Sequence, residues 1–216
     1  MTTRTHATAS STVQHTAVED RRSLILGEVA SALQAADRRV TDIESMIAAA
    51  GVSPQSITDE FGGTNGVVVA LVDRLSASML EPLGRCTSEA AFRDGLLAFA
   101  VRVTDEGAAL QLRTLYRIAV TEAIRNTGLG RDFYRHGPGF LVSELAAFID
   151  DAHEHGIVDS ESSLSLAGHF MAILRPHLDL SDMFSSDGFN AIEPADRNLA
   201  RDVALFCEGI RIGDKR

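Results

Sequence analysis

The sequence predicts an all-α protein that contains a helix-turn-helix close to its N-terminus. Apolar residues recur at three- and four-residue intervals along most of the 216 residues, and only 5 residues are proline, which is the pattern of amphipathic helices. Two short apolar segments joined by a glycine-containing turn predict the helix-turn-helix. With 45% hydrophobic residues, the chain has enough apolar side chains to bury a sizeable core.

The first helix is expected between about residues 19 and 36, after a polar arm. Residues 1–18 are rich in Ser, Thr and His and lack apolar periodicity, so the sequence predicts a disordered arm there. The apolar stripe of the helix comprises Leu24, Ile25, Val29 and Leu33. Such a stripe predicts a helix that packs against the core along one face.

Two short helices with distinct start signals follow. Thr41 and Glu44 have the spacing of a capping box, in which each side chain satisfies the backbone N–H of the other, and this second helix should stop at Gly51. Ser53 and Pro54 suit the N-cap and the first position of a third helix. The apolar residues expected to face the core are Ile43, Met46, Ile47, Ile57 and Phe61.

The remaining helices are longer, and a break near residues 81–87 divides the chain into two predicted domains. A fourth helix, at about residues 64–79, completes a first domain of residues 19–80. Residues 81–216 form the second predicted domain, with helices near 88–103, 106–126, 131–154, 161–175 and 194–211. The Ser- and Asp-rich run at 181–188 predicts a flexible loop.

The charge distribution is unusual for a protein that binds nucleic acid. The net charge is −10, and residues 1–80 contribute −3 of it, with six Arg, no Lys and nine Asp or Glu. Modules that bind nucleic acid usually concentrate positive charge. Other classes are easier to exclude: no apolar run reaches the ~20 residues of a membrane span, and no signal-peptide core is evident. We therefore expect a cytoplasmic protein with no membrane partner, in which Cys86 and Cys207 are reduced core thiols.

Residues 41–61 resemble the signature of the TetR/AcrR family of transcriptional regulators. The run TDIESMIAAAGVSPQSITDEF aligns without gaps to a family pattern that reads approximately TTVxxIAxxAGVSxGTLYxHF. A second, weaker resemblance begins with FYRHGP at residues 133–138 and continues to the helix that contains Ala167. Together they cover most of residues 20–175. The resemblance implies a DNA-binding helix-turn-helix, followed by a helical ligand-binding and dimerisation domain.

Three positions depart from the family pattern where its members carry phosphate-contacting or basic groups. Thr58 stands where the family has tyrosine, Glu60 where it has histidine or tyrosine, and Thr64 where it has lysine. The apolar and glycine positions that shape the turn are kept. The phosphate contacts would then have to come from arginines elsewhere in the domain.

The third helix is expected to present its outward face to the major groove of DNA. At about 100° per residue, Ile57 and Phe61 face the core and leave Gln55 and Asp59 on the opposite side. Gln55 suits adenine and Asp59 suits the N4 amino group of cytosine, although a carboxylate also repels phosphates. The residues expected to contact DNA are Arg21, Arg22, Arg38, Arg39, Gln55, Ser56, Thr58, Asp59 and Thr64.

The resemblance implies that the C-terminal domain holds a small-molecule effector and forms a homodimer. Candidate pocket residues, each of which also suits ordinary core packing, are Phe99, Leu110, Leu112, Tyr116, Val120, His136 and Phe140. Apolar stripes on the last two helices predict a four-helix bundle across a two-fold axis. The residues expected at this dimer interface are Leu164, Ala167, Phe170, Met171, Leu174, Leu199, Val203, Phe206 and Ile210.

No pattern in the sequence favours catalysis, a cofactor or a metal. The run DDAHEH at 150–155 would direct its two histidines about 200° apart on a helix, so we interpret it as a solvated helix end. Motifs of nucleotide-binding, metalloprotease and hydrolase sites are absent, and an enzyme is not expected. Two hypotheses remain. The first is a repressor that an effector releases from operator DNA, and the second is a dimeric sensor or interaction protein on the same scaffold, with weakened or lost DNA binding.

Overall fold

The computed structural model describes residues 6–35, 42–125, 127–159, 162–175 and 198–210. Within these residues the chain forms only helices, as the sequence predicts. They are α1 (His6–Ala35), α2 (Ile43–Ala49), α3 (Pro54–Phe61), α4 (Thr64–Leu80), α5 (Glu89–Val103), α6 (Glu106–Ile124), α7 (Leu129–His136), α8 (Pro138–Glu154), α9 (Ser163–Leu174) and α10 (Leu199–Gly209). None of these described helices combines the length and apolarity needed to cross a membrane.

The first helix is longer than the sequence pattern indicates. It begins at His6, so residues 6–18 continue α1 instead of forming the expected disordered arm, while residues 1–5 lie outside the described part. The added segment contains no Gly or Pro, the two residues least compatible with a helix, and extending a helix is easier than starting one. Three of the four stripe residues are buried, whereas Leu24 is 65% exposed.

The second helix begins one residue later than the predicted capping box. The carboxylate of Asp42 accepts the backbone N–H of Ser45 at 2.7 Å and its hydroxyl at 2.9 Å, and these bonds hold the pKa of Asp42 below its ordinary value. Thr41 lies outside the described residues. Beyond the helix, Gly51 has a φ of 68°, the left-handed conformation expected after a helix end. Ile43, Met46 and Ile47 are buried, as predicted.

The third and fourth helices form a compact corner. Ser53 is the N-cap of α3, and its hydroxyl accepts the backbone N–H of Ser56 at 3.1 Å, as predicted. The chain turns through Gly62 and enters α4, where a Cβ at Gly66 would lie 1.9 Å from the carbonyl oxygen of Phe61. Only glycine therefore allows α4 to approach the end of α3 this closely.

The helices share two apolar cores. The first core contains side chains of α1, α2, α3 and α4. Side chains of α6 and α7, including Leu115, Ile118 and Phe133, complete it. The second core lies among α5, α8, α9 and α10, with Phe99 and Phe170 among its fully buried members. Since α6 and α7 contribute to the first core, the helix-turn-helix segment packs directly against the C-terminal segment.

One long predicted helix is divided in two. The helix expected at 131–154 is interrupted after His136, and α8 starts at Pro138. Proline has no backbone N–H and clashes with the preceding turn of a helix, so Gly137 and Pro138 end one helix and begin another. The flexible loop expected at 181–188 lies outside the described residues.

Candidate nucleic-acid interface

The outward face of α3 carries three exposed polar side chains, Gln55, Thr58 and Asp59, opposite the buried Ile57. Gln55 Nε2 donates to Asp59 Oδ1 at 2.7 Å. The Thr58 hydroxyl donates to the backbone carbonyl of Pro54 at 3.0 Å. The face is therefore ordered by its own hydrogen bonds, and its side chains point away from the subunit, as the helical periodicity predicts.

Arg21 is a residue of α1, and its side chain contacts α3. Its Nε is 3.3 Å from Glu60 Oε1, and its guanidinium donates to Ser56 Oγ at 3.4 Å. Ser56 is half-buried and also contacts Ser53 at 2.9 Å. The hydroxyl of Ser56 is thus engaged beside α1, away from the outward face on which base contacts were predicted.

Arg22 contacts the same end of α3. Its guanidinium donates to the backbone carbonyl of Glu60 and lies 4.7 Å from the centroid of the Phe61 ring, within the range of a cation–π contact. The carbonyl is one of the unpaired groups at a helix C-terminus, which a cation satisfies well. Arg38 and Arg39, the other predicted basic pair, lie outside the described residues.

Glu60 differs in environment from its neighbour Asp59. The Glu60 side chain is 10% exposed and faces Arg21, whereas Asp59 is exposed on the outward side. The expected repulsion between Glu60 and phosphates is therefore reduced by its pairing, but the same pairing uses the positive charge of Arg21. Thr64, the first residue of α4, is half-buried.

None of the predicted effector residues lines either of the two clefts described below. Phe99 is fully buried and its ring lies 6.3 Å from that of Phe170. Tyr116 meets Phe133 edge to face at 4.9 Å, and burial raises its pKa. Val120 and Phe140 are exposed on the surface. The remaining predicted pocket residues, Leu110, Leu112 and His136, are half-buried.

Two clefts in the described part of the chain are lined by residues that the sequence does not indicate. A cleft of about 350 Å³ between α4, α5 and α6 is lined by Leu75, Ser78, Met79, Val101, Arg102, Asp105 and Ala108. A second, of about 420 Å³, is lined by Leu80, Leu83, Gly84, Arg85, Glu144, Ala147, Phe148 and Asp151. No sequence pattern indicates either set, because the lining residues come from separate segments that only the fold brings together.

His136 connects α7 to the middle of α4. Its Nδ1 lies 2.8 Å from Asp73 Oδ1, and its backbone carbonyl accepts the Ser76 hydroxyl at 3.0 Å. Ser76 is 2% exposed. These contacts tie α7 to α4, the helix that runs from the end of α3 to the 350 Å³ cleft.

Most of the residues predicted to form a dimer interface pack instead against the core of one subunit. Ala167, Phe170, Leu174, Val203 and Phe206 are buried in the second core. Met171, Leu199 and Ile210 are half-buried against it. Leu164 alone among the nine predicted residues is exposed, at 62%. The reason is that an apolar stripe identifies the buried side of a helix without identifying what covers it.

The histidines at the end of α8 and the two cysteines have structural partners or surroundings. His153 Nδ1 is 3.0 Å from the Val158 carbonyl, and His155 Nδ1 is 2.7 Å from the Asp151 carbonyl, so both side chains contact backbone at the helix end. Among the described residues no group of three or more His, Cys, Asp or Glu comes together as a metal site would require. Cys86 and Cys207 are free, buried thiols, and burial raises the pKa of each.

Solved structures of regulators share this fold. A putative TetR-family regulator from Mesorhizobium loti MAFF303099 has 18% identity and a TM-score of 0.57, over 88% of this chain and 96% of that one. The flavonoid-responsive regulator FrrA has 17% identity and a TM-score of 0.57, over 89% and 98%. SmeT, the repressor of the Stenotrophomonas maltophilia multidrug efflux pump SmeDEF, has 17% identity and a TM-score of 0.50, over 87% of each chain. Identities this low establish the fold alone, and no protein of curated function matches the sequence.

The class of the protein follows from its architecture and from its C-terminal half. An N-terminal helix-turn-helix packed on a larger helical domain is the fold that this chain shares with the solved structures. The family model for the C-terminal domain of AefR-like transcriptional repressors matches residues 94–209, more than half of the chain. The chain therefore belongs to the TetR family of transcriptional regulators, as the resemblance of residues 41–61 implies.

Proposed function

We propose that this chain is a homodimeric repressor that binds operator DNA through α3 and leaves it when a small effector binds beside α4. The observation that carries the proposal is the outward face of α3, where exposed Gln55, Thr58 and Asp59 stand opposite the buried Ile57. A helix with this distribution, set in a helix-turn-helix, is suited to the major groove.

A dimer would give two reading helices, and the expected target is a palindrome with half-sites about 34–36 Å apart. Attraction to phosphates would come chiefly from Arg22, Arg38 and Arg39, because Arg21 is paired with the Glu60 carboxylate. Since Arg22 also contacts Glu60, through its backbone carbonyl, a phosphate contact by Arg22 requires it to exchange partners. The free energy gained per contact is then smaller than for an unpaired arginine, and we expect weak DNA binding above physiological salt.

A second copy of the chain is the expected partner of the outer side of α9 and α10. Leu164 on α9 and Leu205 on α10 are 62% and 55% exposed. Both helices turn their opposite sides to the second core, so a partner that covers these leucines completes a four-helix arrangement. The proposed interface therefore lies on the outer side of these two helices, whereas most of the residues that the sequence predicts for it face the second core.

The 350 Å³ cleft between α4, α5 and α6 is the proposed effector site. Its walls are apolar at Leu75, Met79 and Val101, with Arg102 and Asp105 also among the lining residues. Such a cleft suits a small, largely apolar molecule with one polar group. A ligand here would contact the C-terminal half of α4, whose first turn packs against α3, so a shift of α4 would move the reading helix.

One observation favours the alternative of a dimeric sensor without DNA binding. Arg21 is paired with a carboxylate of its own subunit, in a protein whose net charge is −10. On this alternative α3 would be a packing element, and no DNA fragment would be preferred over any other.

Footprinting on the DNA that flanks the protein's own gene, at low salt, tests the proposal. Wild type should protect a palindromic segment, and Gln55→Ala combined with Thr58→Ala should abolish the protection. Gln34→Ala is the matched control, since Gln34 is exposed near the far end of α1, and it should leave the footprint unchanged. The proposal fails if wild type protects nothing, or if the α3 variant protects the same segment equally well.

A further inference from the structure

A hydrogen bond on the outward face of α3 determines what that face can offer to a base, and the inference drawn from it rests on the proposed DNA-reading role of α3. Gln55 and Asp59 are exposed, one helical turn apart, and joined by the 2.7 Å bond from Gln55 Nε2 to Asp59 Oδ1. A carboxylate only accepts hydrogen bonds. The amide must therefore direct one hydrogen of its NH2 group to Asp59, which leaves Gln55 Oε1 and Asp59 Oδ2 as acceptors beside the second amide hydrogen of Gln55.

The rest of the face does not change this acceptor character. The hydroxyl hydrogen of Thr58 is directed at the carbonyl of Pro54 at 3.0 Å, so this hydroxyl offers no donor to Asp59. The two nearby cations are directed elsewhere, because Arg21 faces Glu60 and Arg22 faces the Phe61 ring. The Asp59 carboxylate thus keeps its negative charge on the side that would enter the groove.

The major-groove edges of the bases respond differently to such a face. Cytosine presents only the N4 amino donor, adenine presents the N6 donor beside the N7 acceptor, and guanine presents the two acceptors N7 and O6. Against guanine, the Asp59 carboxylate would be desolvated without a donor, which is costly. Adenine suits Gln55, since the amide still has a donor and an acceptor, whereas cytosine is the one base that offers Asp59 a donor with no competing acceptor.

We propose that Asp59 is a specificity-determining residue of this regulator. Its carboxylate selects cytosine through the N4 amino group and rejects guanine at the same position, and it holds the Gln55 amide in place for a neighbouring adenine. The negative charge on α3, which weakens binding to every duplex, would thus improve discrimination between duplexes.

Selection from a pool of randomised DNA duplexes at low salt, with the full-length chain, tests this assignment. Wild type should enrich half-sites with cytosine at one fixed position, and guanine there should weaken binding by roughly ten- to a hundredfold. Asp59→Asn places a donor beside the acceptor and should reduce that ratio to a few-fold. Glu44→Gln, which removes the same charge from an exposed position on α2, should keep the wild-type ratio.

A change made only in the DNA gives an independent readout. Replacing the selected cytosine by N4-methylcytosine blocks the amino hydrogen that faces the major groove, and wild type should lose about as much affinity as with guanine. Asp59→Asn should be less sensitive to this replacement.

The possible outcomes separate the two proposals. If both charge-removing variants strengthen binding to all duplexes equally and the base preference stays as in wild type, Asp59 acts only by repulsion and the assignment is wrong. If N4-methylcytosine binds wild type as well as cytosine does, it is also wrong. If folded, dimeric wild type enriches no sequence at all, the proposed DNA-binding function fails, and this assignment fails with it.

Discussion

Apolar residues repeat at three- and four-residue intervals both in the helix-turn-helix and in α9 and α10. The repeat predicts what the helices pack against better in the first region than in the second. In α3, Ile57 is buried and Gln55 and Asp59 point outward, as the 3.6-residue repeat requires. In α9 and α10 the repeat again identifies the buried side, but Phe170 and Phe206 pack within their own subunit rather than between two.

The difference lies in how far apart the covering elements are in the chain. The helix that packs most closely on α3 is α4, which follows after a short glycine turn, so caps and glycines determine this arrangement locally. The partner of α10 is α5, about a hundred residues earlier in the chain. Periodicity therefore predicts burial in both regions, but it does not identify the neighbour of α10, which lies far away in the sequence.

The largest expected effect comes from truncating the C-terminal stripe. Phe170→Ala removes a fully buried ring that contacts Phe99 and Phe206 and should lower the free energy of unfolding by about 3–5 kcal/mol. Leu164→Ala, an exposed change on the same helix, should mainly weaken dimerisation. Denaturant unfolding and sedimentation at one fixed protein concentration measure the two effects. Equal losses of unfolding free energy would mean that the two sides of α9 are not distinct.

The next effect tests the corner between α3 and α4. Gly66→Ala places a Cβ against the carbonyl of Phe61 and should destabilise the protein by about 1–3 kcal/mol through overpacking. Gly27→Ala is the matched control, since α1 leaves open space at that position, and it should stabilise by about 0.5–1 kcal/mol. Thermal unfolding of both variants compares them directly, and a neutral Gly66→Ala would show that the close approach is not required.

A smaller and pH-dependent effect is expected at the cap of α2. Asp42→Ala removes the bonds to Ser45 and should cost about 1 kcal/mol near neutral pH. Because these bonds lower the pKa of Asp42 in the folded state, its contribution is complete above the ordinary carboxyl pKa. The contribution is lost as the pH falls through the lowered value. Unfolding measured from pH 7 to pH 2 should show wild type and variant converging in acid, and a constant difference would contradict this origin.

The smallest effect on stability is expected from the ion pair between Arg21 and Glu60. Glu60→Gln breaks a pair in which Arg21 is 57% exposed, and such surface pairs contribute less than about 1 kcal/mol. Chemical denaturation should therefore detect little change. A loss as large as that of Phe170→Ala would mean that the pair is a principal structural contact.

Most of the fold was predictable from the sequence, whereas the candidate sites were predictable only in part. The fold class, the short helices, the Ser53 cap and the outward side of α3 follow from residues within one or two turns of each other. The pairing of Arg21 with Glu60 joins residues 39 positions apart, and no motif marks it. The cleft residues Leu75 and Val101 are also far apart in sequence, at 26 positions, so their proximity depends on packing that only the folded chain reveals.

On the proposed function, the helix-turn-helix binds DNA while Glu60 of the same subunit pairs with Arg21 and keeps it from the phosphates. The salt dependence of affinity for the selected palindrome, measured for wild type and Glu60→Gln, tests it most directly. Freeing one arginine per subunit should steepen the slope of log affinity against log salt by about 0.9 for each subunit engaged. Arg21→Ala combined with Glu60→Gln should return the slope to the wild-type value. Identical slopes for wild type and Glu60→Gln would contradict the claim.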